Sequence, residues 1–411
     1  MLNKKRILVI FLFAALIINI SGCGNSSKET SKEKQLNIYV DVKDKESLNI
    51  IKSVTEGYKK ENSKVKINLN NAIGEKIEED ISKGNEADIV ITSRNNMIKL
   101  SRKGLLSDMG NYYEENKIND KYYNVVKAYG RYEDKYYGID LMPYTMEILY
   151  NKTALDKLGI KSPTAISDLK DLFKKLGEAS KRIPVVIPED LDINSGLFSI
   201  IVNNRVNMRK LESKYDSGAS SYKTITEMQQ AFDILNDLIK YGSISKNTFE
   251  IGNESTVNKF EKGDIPLIIC SSYYINNLKN ESIKSIGENM NDTSVKFNVP
   301  VISNSIICVA VNSKNGEEVG NFIKFMLGDD NQKKLKEQGF VTGNKKVNGD
   351  KEKGIKGVVL QHLSSSTEDS VAYIYNIPSK LKNSISSKID EMLSGKETKK
   401  EWQEAVDEAY K

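Results

Sequence analysis

The chain has very little with which to carry out histidine or thiol chemistry. Its 411 residues hold one histidine, His362, and three cysteines, Cys23, Cys270 and Cys308. His362 lies in a stretch (341–370) rich in Gly, Lys and Ser, so it reads as a surface residue in an irregular connection rather than as a base. Cys270 and Cys308 each sit inside an apolar run, Leu267-Ile268-Ile269-Cys270 and Ile306-Ile307-Cys308-Val309, and read as buried strand cysteines; their spacing leaves open whether they pair. No Gly-rich phosphate loop, His-Glu-x-x-His, paired Cys-x-x-Cys or EF-hand spacing is present. Neither a metal site, nor a cofactor, nor a catalytic residue is therefore expected. Charge of one sign is also lacking. The formal net charge of +5 falls to about +2 once the three basic residues of 1–22 are set aside. Lys and Glu are interleaved throughout, so there is no concentrated basic face and a nucleic-acid partner is excluded.

Long apolar runs are absent too, with one exception. Lys4, Lys5 and Arg6 precede a run from Ile7 to Ile20 broken only by Asn19. That length suits the core of a signal peptide and falls short of the about 20 residues that span a bilayer. The run ends in Ile20-Ser21-Gly22-Cys23, which resembles the bacterial lipobox, where the chain is cleaved before a cysteine whose thiol carries a lipid. Residues 1–22 are thus expected to be a lipoprotein signal peptide and Cys23 the lipid attachment site. Residues 23–35 form a polar tether. The expected location is the extracellular face of the cell membrane, on a Gram-positive type of surface.

From Leu36 the apolar period alternates between two and three-to-four. Leu36–Val40, Val65–Leu69 and Ala87–Thr92 read as strands. Leu48, Ile51, Val54 and Tyr58 share one helix face, Ile77 and Ile81 another, and Met97–Leu106 a third. The βαβαβ order points to an open α/β sheet. Further on, helices are expected after Ser162-Pro163-Thr164, over Thr226–Gly242 and after Asn312. Strands are expected at Ile265–Cys270, Val295–Val299 and Ser305–Asn312, and a last pair of helices at Ser379–Leu393 and Lys399–Tyr410. Trp402, the only tryptophan, reads as a core anchor in the last helix.

Several segments in sequence carry a family resemblance. They are Leu36–Val40 with its following helix, Asp88-Ile89-Val90-Ile91, and Tyr137-Gly138-Ile139-Asp140 running on to Tyr150-Asn151-Lys152. Ser162-Pro163-Thr164, Phe260-Glu261-Lys262-Gly263 with Ser272-Tyr273-Tyr274, and Asn376-Ile377-Pro378 follow in order. Together, over nearly the whole ordered chain, the sequence resembles the carbohydrate-type solute-binding proteins of ABC importers, the maltose-binding-like cluster. The resemblance implies a two-lobed α/β fold of the periplasmic-binding-protein type II kind, with lobes joined by hinge strands. Carried onto this chain, one lobe comprises 36–147 plus 308–350 and the other 148–303 plus 360–411. It further implies a monomer that closes on a small ligand, a sugar or oligosaccharide, and passes it to ABC permease subunits without turnover.

In open α/β sheets the ligand lies beyond the carboxyl ends of the strands. This places Asp41 and Lys43 after the first strand, Ser93, Arg94 and Asn95 after the third, and Tyr144, Thr145 and Glu147 at the first hinge. The resemblance adds Tyr273 and Tyr274 as an aromatic platform. Arg94 offers an alternative, an anionic ligand. Tyr112-Tyr113 and Tyr122-Tyr123 read as structural. Where the family carries a further aromatic after Asn-Ile-Pro, this chain has Lys382, Asn383 and Ser384, which leaves the stacking surface thin. A lipid-anchored cell-wall hydrolase and a sensor subunit for a membrane kinase are the competing readings.

Overall fold

Leu36, Ile38 and Val40 alternate with Asn37 and Tyr39 along β1 (Gln35–Val40), so one strand feeds both faces of a sheet. A computed structural model describes residues 34–71, 75–84, 87–164, 168–189, 191–286, 297–349 and 352–411. Cys23, the signal segment 1–22 and all of the tether but residues 34 and 35 lie outside the described residues. The chain continues through α1 (Lys45–Glu61), β2 (Lys66–Asn71), α2 (Glu75–Ser82), β3 (Ile89–Thr92) and α3 (Arg94–Arg102). β1 pairs in parallel with β2 on one side and β3 on the other. After α4 (Asn124–Gly130) comes β4 (Ile139–Asp140), a short strand of the same sheet.

The next strand changes sheets. β5 (Tyr144–Asn151) joins a second sheet with β6 (Ile183–Val186), β7 (Phe249–Ile251), β8 (Leu267–Ser271), β9 (Ile283–Ser285) and β10 (Val301–Ile302): it is antiparallel to β8, β9 and β10, and β6 and β7 extend the sheet in parallel from β8. The helices α5 (Leu169–Glu178), α6 (Ile193–Val202), α7 (Met208–Glu212) and α8 (Thr226–Gly242) fall between these strands. The chain then returns to the first sheet with β11 (Ile306–Val309), inserted antiparallel between β3 and β4. It ends with α9 (Gly316–Leu327), α10 (Gly354–Ser365), α11 (Ser379–Leu393) and α12 (Glu401–Ala409). The result is a two-lobed α/β fold whose sheets are joined by strand crossings at residues 141–143 and 303–305, with a further passage to the second lobe between α9 and α10.

Packing follows strand parity. Leu36, Ile38 and Val40 meet Ile50, Ile51, Val54 and Tyr58 of α1 together with Phe322, Ile323 and Met326 of α9. Tyr39 and Val90 face Ile77 and Ile81 of α2 and Met97 and Ile98 of α3. In the second lobe, Trp402 is buried, sets its ring edge-on to Tyr222, and donates its indole N–H to the Tyr222 carbonyl at 3.1 Å. Where the hinge strands approach the first lobe, Gly138 leaves room: a Cβ there would meet Ile306 Cγ2 at 2.4 Å. Among the described residues, no helix is long and apolar enough to cross a membrane.

Two expectations are corrected. Part of 341–370 is an ordered helix, α10, whose Ile355, Val359, Leu360 and Leu363 are buried; the glycines at 354 and 357 hide its period in the sequence. His362 sits on that helix and is 8% exposed, so it is an interior group and not a surface one. The strand expected at Val295–Val299 also shifts: 295 and 296 lie outside the described residues, 297–300 is irregular, and the strand is β10 at 301–302. Cys270 and Cys308 are buried, free and in different sheets, on β8 and β11. Both thiols should resist a soluble thiol reagent in the native protein and react together on unfolding; labelling of either before the unfolding transition would contradict this packing. Trp402→Ala should cost roughly 3–5 kcal/mol, read as a lowered urea midpoint at unchanged slope.

Candidate ligand cleft

The cleft is built where the carboxyl ends of β1 and β3, the start of β5 and the end of β8 converge. Asp44 is the N-cap of α1, accepting the Ser47 backbone N–H at 2.8 Å through Oδ1. Glu46 follows in the first turn and accepts from the Ser271 hydroxyl at 3.4 Å, across the lobe boundary. Asn49, one turn on, donates to the Tyr273 phenol oxygen at 2.9 Å. Tyr273 packs edge-on against Tyr144 (5.7 Å between centroids) and Tyr274 (5.0 Å), with Phe340 at 6.0 Å. Lys45 reaches Glu254 of the second lobe at 3.4 Å. The lobes thus touch along the N-terminal turns of α1 and the 3-10 turn Ser272–Asn277.

Tyr144 sits at the middle of this junction. Its side chain is 3% exposed and its phenol oxygen has no partner. Burial pushes the phenol well above its ordinary range, and Glu46, Tyr273, Asp44 and Asp140 push it further. Asp44 Oδ2 and Asp140 Oδ2 are likewise buried without a partner.

The nominated residues divide sharply. Asp41 is half-buried and accepts from Thr92 Oγ1 at 3.0 Å and Asn96 Nδ2 at 2.8 Å. Ser93 caps α3, and Lys43 is exposed. Asn95 donates to the Ile374 carbonyl at 3.0 Å and keeps a buried Oδ1 without a partner. Tyr144, Tyr273 and Tyr274 come together. Arg94, Thr145 and Glu147 do not join them.

Arg94 is 1% exposed and fully engaged. Its NH1 bonds the carbonyls of Ala128, Tyr129 and Arg131, its NH2 meets Glu212 at 2.7 Å, and its Nε meets Asn376 at 3.3 Å. It ties α3 of the first lobe to α7 of the second, each of its three nitrogens already bonded to a protein acceptor. Thr145 and Glu147 lie on the face of β5 opposite Tyr144, because successive strand side chains alternate. There Glu147 accepts from Thr145 Oγ1 at 2.6 Å and Ser285 Oγ at 3.1 Å, and its Oε1 lies 2.9 Å from His362 Nδ1. Burial pushes this carboxyl up, but the charge and hydrogen bond of His362 outweigh it and hold it below the usual range. These are framework groups of the second lobe. Tyr113, Tyr122 and Tyr123 are buried and hydrogen-bonded, as expected of structural tyrosines.

Four residues at the junction, Asp44, Glu46, Asn49 and Asp140, escaped the sequence reading. The Asp44-x-x-Ser47 spacing signals a helix cap, which masks the second carboxylate oxygen. Asp140 bonds the Ser303 hydroxyl and the Met142 N–H through Oδ1. Burial raises its value from 3.8 to about 7, with Ser303 and Met142 partly offsetting that rise. An acid raised in the folded state holds a proton there that the unfolded chain has already released, so stability should fall as pH rises between about 4 and 7. Asp140→Asn removes this dependence: its melting temperature, measured against the parent from pH 4.5 to about 8, should gain steadily with pH. Parallel profiles would refute the assignment.

With this geometry, the chain can be compared with known proteins. Residues 44–333 match the family model of the bacterial extracellular solute-binding proteins. A binding protein of Brucella abortus (strain 2308) is 21% identical over 314 residues, covering 71% of this chain and 72% of its own. A secreted solute-binding lipoprotein of Streptomyces coelicolor superposes with a TM-score of 0.68 at 14% identity, covering 92% of this chain and 99% of that one. A solute-binding protein of Thermotoga lettingae bound with α-D-tagatose gives 0.64 at 14% identity, with 92% and 99% covered. One from Agrobacterium vitis with bound D-mannitol gives 0.59 at 13%, with 91% and 96% covered. The chain belongs to the bacterial extracellular solute-binding protein family.

Proposed function

We propose that this protein captures a sugar or oligosaccharide between its lobes and delivers it to the permease of an ABC transporter. The observation that carries the reading is the Tyr144 junction: a buried phenol and two buried carboxylate oxygens without partners, contributed by elements on both sides of the lobe boundary. Polar atoms left unpaired in a dry place are costly, and a hydroxyl-rich ligand pairs them. Tyr273 and Tyr274 supply the aromatic face that the C–H side of a sugar ring requires. The bound tagatose and mannitol of two structural relatives support the same class.

The moving bodies in this reading are 36–147 with 308–350 and 148–303 with 360–411, except that the whole of β5, from Tyr144 on, goes with the second sheet. They turn about the strand crossings at 141–143 and 303–305, and ligand shifts the population to the closed form that a permease recognises. A lipid on Cys23 holds the monomer at the extracellular face of the membrane, and residues 23–35 let it reorient. Capture without turnover follows.

A thermal-shift screen across sugars, amino acids, peptides and organic anions tests the class, and small-angle scattering of the liganded protein should show a smaller radius of gyration. Tyr273→Ala should weaken binding of any solute so found by about tenfold, the loss expected for one aromatic platform. Unchanged affinity in that variant would remove the junction as the binding site.

A further inference from the structure

A second pocket lies on the lobe boundary and shares no residue with the Tyr144 junction. It is a cavity of about 320 Å³. Asn124, Lys127 and Arg131, at i, i+3 and i+7, line one wall as a stripe of α4 and its continuation. Tyr136 pairs across a short hairpin with Arg131 and adds its ring, which stacks on Tyr113 at 3.9 Å. Thr367 and Glu368, at the start of the 3-10 turn Glu368–Ser370, form the wall that belongs to the second lobe.

The acceptors at this pocket are already shared. Glu368 receives Arg131 Nη2 at 3.1 Å and lies 3.7 Å from Arg209 Nε. The other carboxylate that meets Arg131, Glu212, lies 3.7 Å from the same Nη2 and is bonded by Arg94 at 2.7 Å. The donors are not so matched. Arg131 uses Nη2 alone on these carboxylates, and its Nε is buried without a partner. Lys127 is half-buried and meets no acceptor among the described residues. Thr367 Oγ1 accepts the Asp369 N–H at 3.3 Å and has its own proton to give.

A cation in the last turn of a helix is favoured in any case, which would make Lys127 unremarkable. Here, however, Arg94 Nη1 already bonds the carbonyls of Ala128, Tyr129 and Arg131 at that end of α4. An oxyanion matches the surplus: a carboxylate or phosphate takes N–H donors of a guanidinium and an ammonium together. The volume falls within the about 300–1,000 Å³ of small-molecule sites, so the charged group is one part of an organic molecule.

We propose that this pocket is a second ligand site, taking a small organic oxyanion, a carboxylate or a phosphate ester, between Lys127 and Arg131. One wall stands on each lobe, so its occupant favours the lobe arrangement in which the walls face each other and acts on closure from outside the solute cleft. The site does not depend on which solute the cleft takes.

Calorimetric titration of the purified protein at constant ionic strength tests this, with citrate and glycerol 3-phosphate as probes and glycerol as the neutral control. At least one acid should bind at a single site while glycerol does not, and which acid binds separates the two kinds of oxyanion. Lys127→Met and Arg131→Lys should each weaken that binding about tenfold, the worth of one hydrogen bond to a charged group. Lys127 has no partner to lose and Arg131→Lys keeps the charge beside Glu212 and Glu368, so both variants should fold as the parent does, which circular dichroism checks. Tyr273→Ala should leave the affinity for the acid unchanged. Undiminished affinity in Lys127→Met, or silence from both acids, would overturn the second site and leave sugar capture standing. A loss confined to Tyr273→Ala would move the anion to the cleft and overturn it equally.

Discussion

Two sheets in one chain have to share their crossing strands, and here the sharing is a narrow antiparallel ribbon. Tyr144 and Thr145 pair with Ile302 and Val301 on the second-lobe side. Asp140 pairs with Ile306 on the first-lobe side, and between them Leu141 donates to the Ser305 carbonyl at 3.1 Å. Both connections are only three residues long, 141–143 and 303–305. A ribbon of two strands is marginal alone but can bend without breaking the sheets it joins. The architecture therefore places a thin ribbon and several buried polar groups side by side: Asp140, Ser303, Ser305 and Tyr144 all belong to it.

Because the ribbon is thin, the lobes need other contacts to define their geometry, and the most buried charged ones form an ionic network. Arg94 and Glu212 meet across the boundary with both side chains nearly buried, and Arg131 bridges Glu212 and Glu368 at 3.7 and 3.1 Å. Removing one partner of such a pair strands the other charge, which costs far more than the pair's net worth. The network therefore specifies geometry more than it adds stability. It also accounts for Arg94 being at a strand end near the cleft and yet turned to protein partners.

The fold was legible where periodicity is strong. β1, α1, β3, α8 and the last two helices fall where the apolar spacing puts them, since each buries a full stripe. The platform tyrosines were legible only through the family resemblance. What stayed hidden depends on distant partners or on parity. Arg94 reads as a cleft residue until Glu212, 118 positions away, is beside it. Glu147 is three residues from Tyr144, an odd step that puts it on the other face of β5. His362 was misread because two glycines mask the amphipathic period of α10, and its carboxylate partner lies 215 positions away.

The carboxylates at the junction connect these points. Asp44 is the N-cap of the helix that packs under β1, and Asp140 sits in the ribbon that bends, so each has a structural reason for its place. In both, one oxygen does the structural work while the other stays buried and unpaired. A rigid core would not tolerate such atoms in the closed arrangement without a compensating partner, whereas a cleft that opens can hydrate them. In the proposed function, closure is then unfavourable in an empty cleft and becomes favourable when a ligand supplies the missing partners. On this view the unpaired oxygens are what couple occupancy to shape, because they make the closed form depend on what lies inside it.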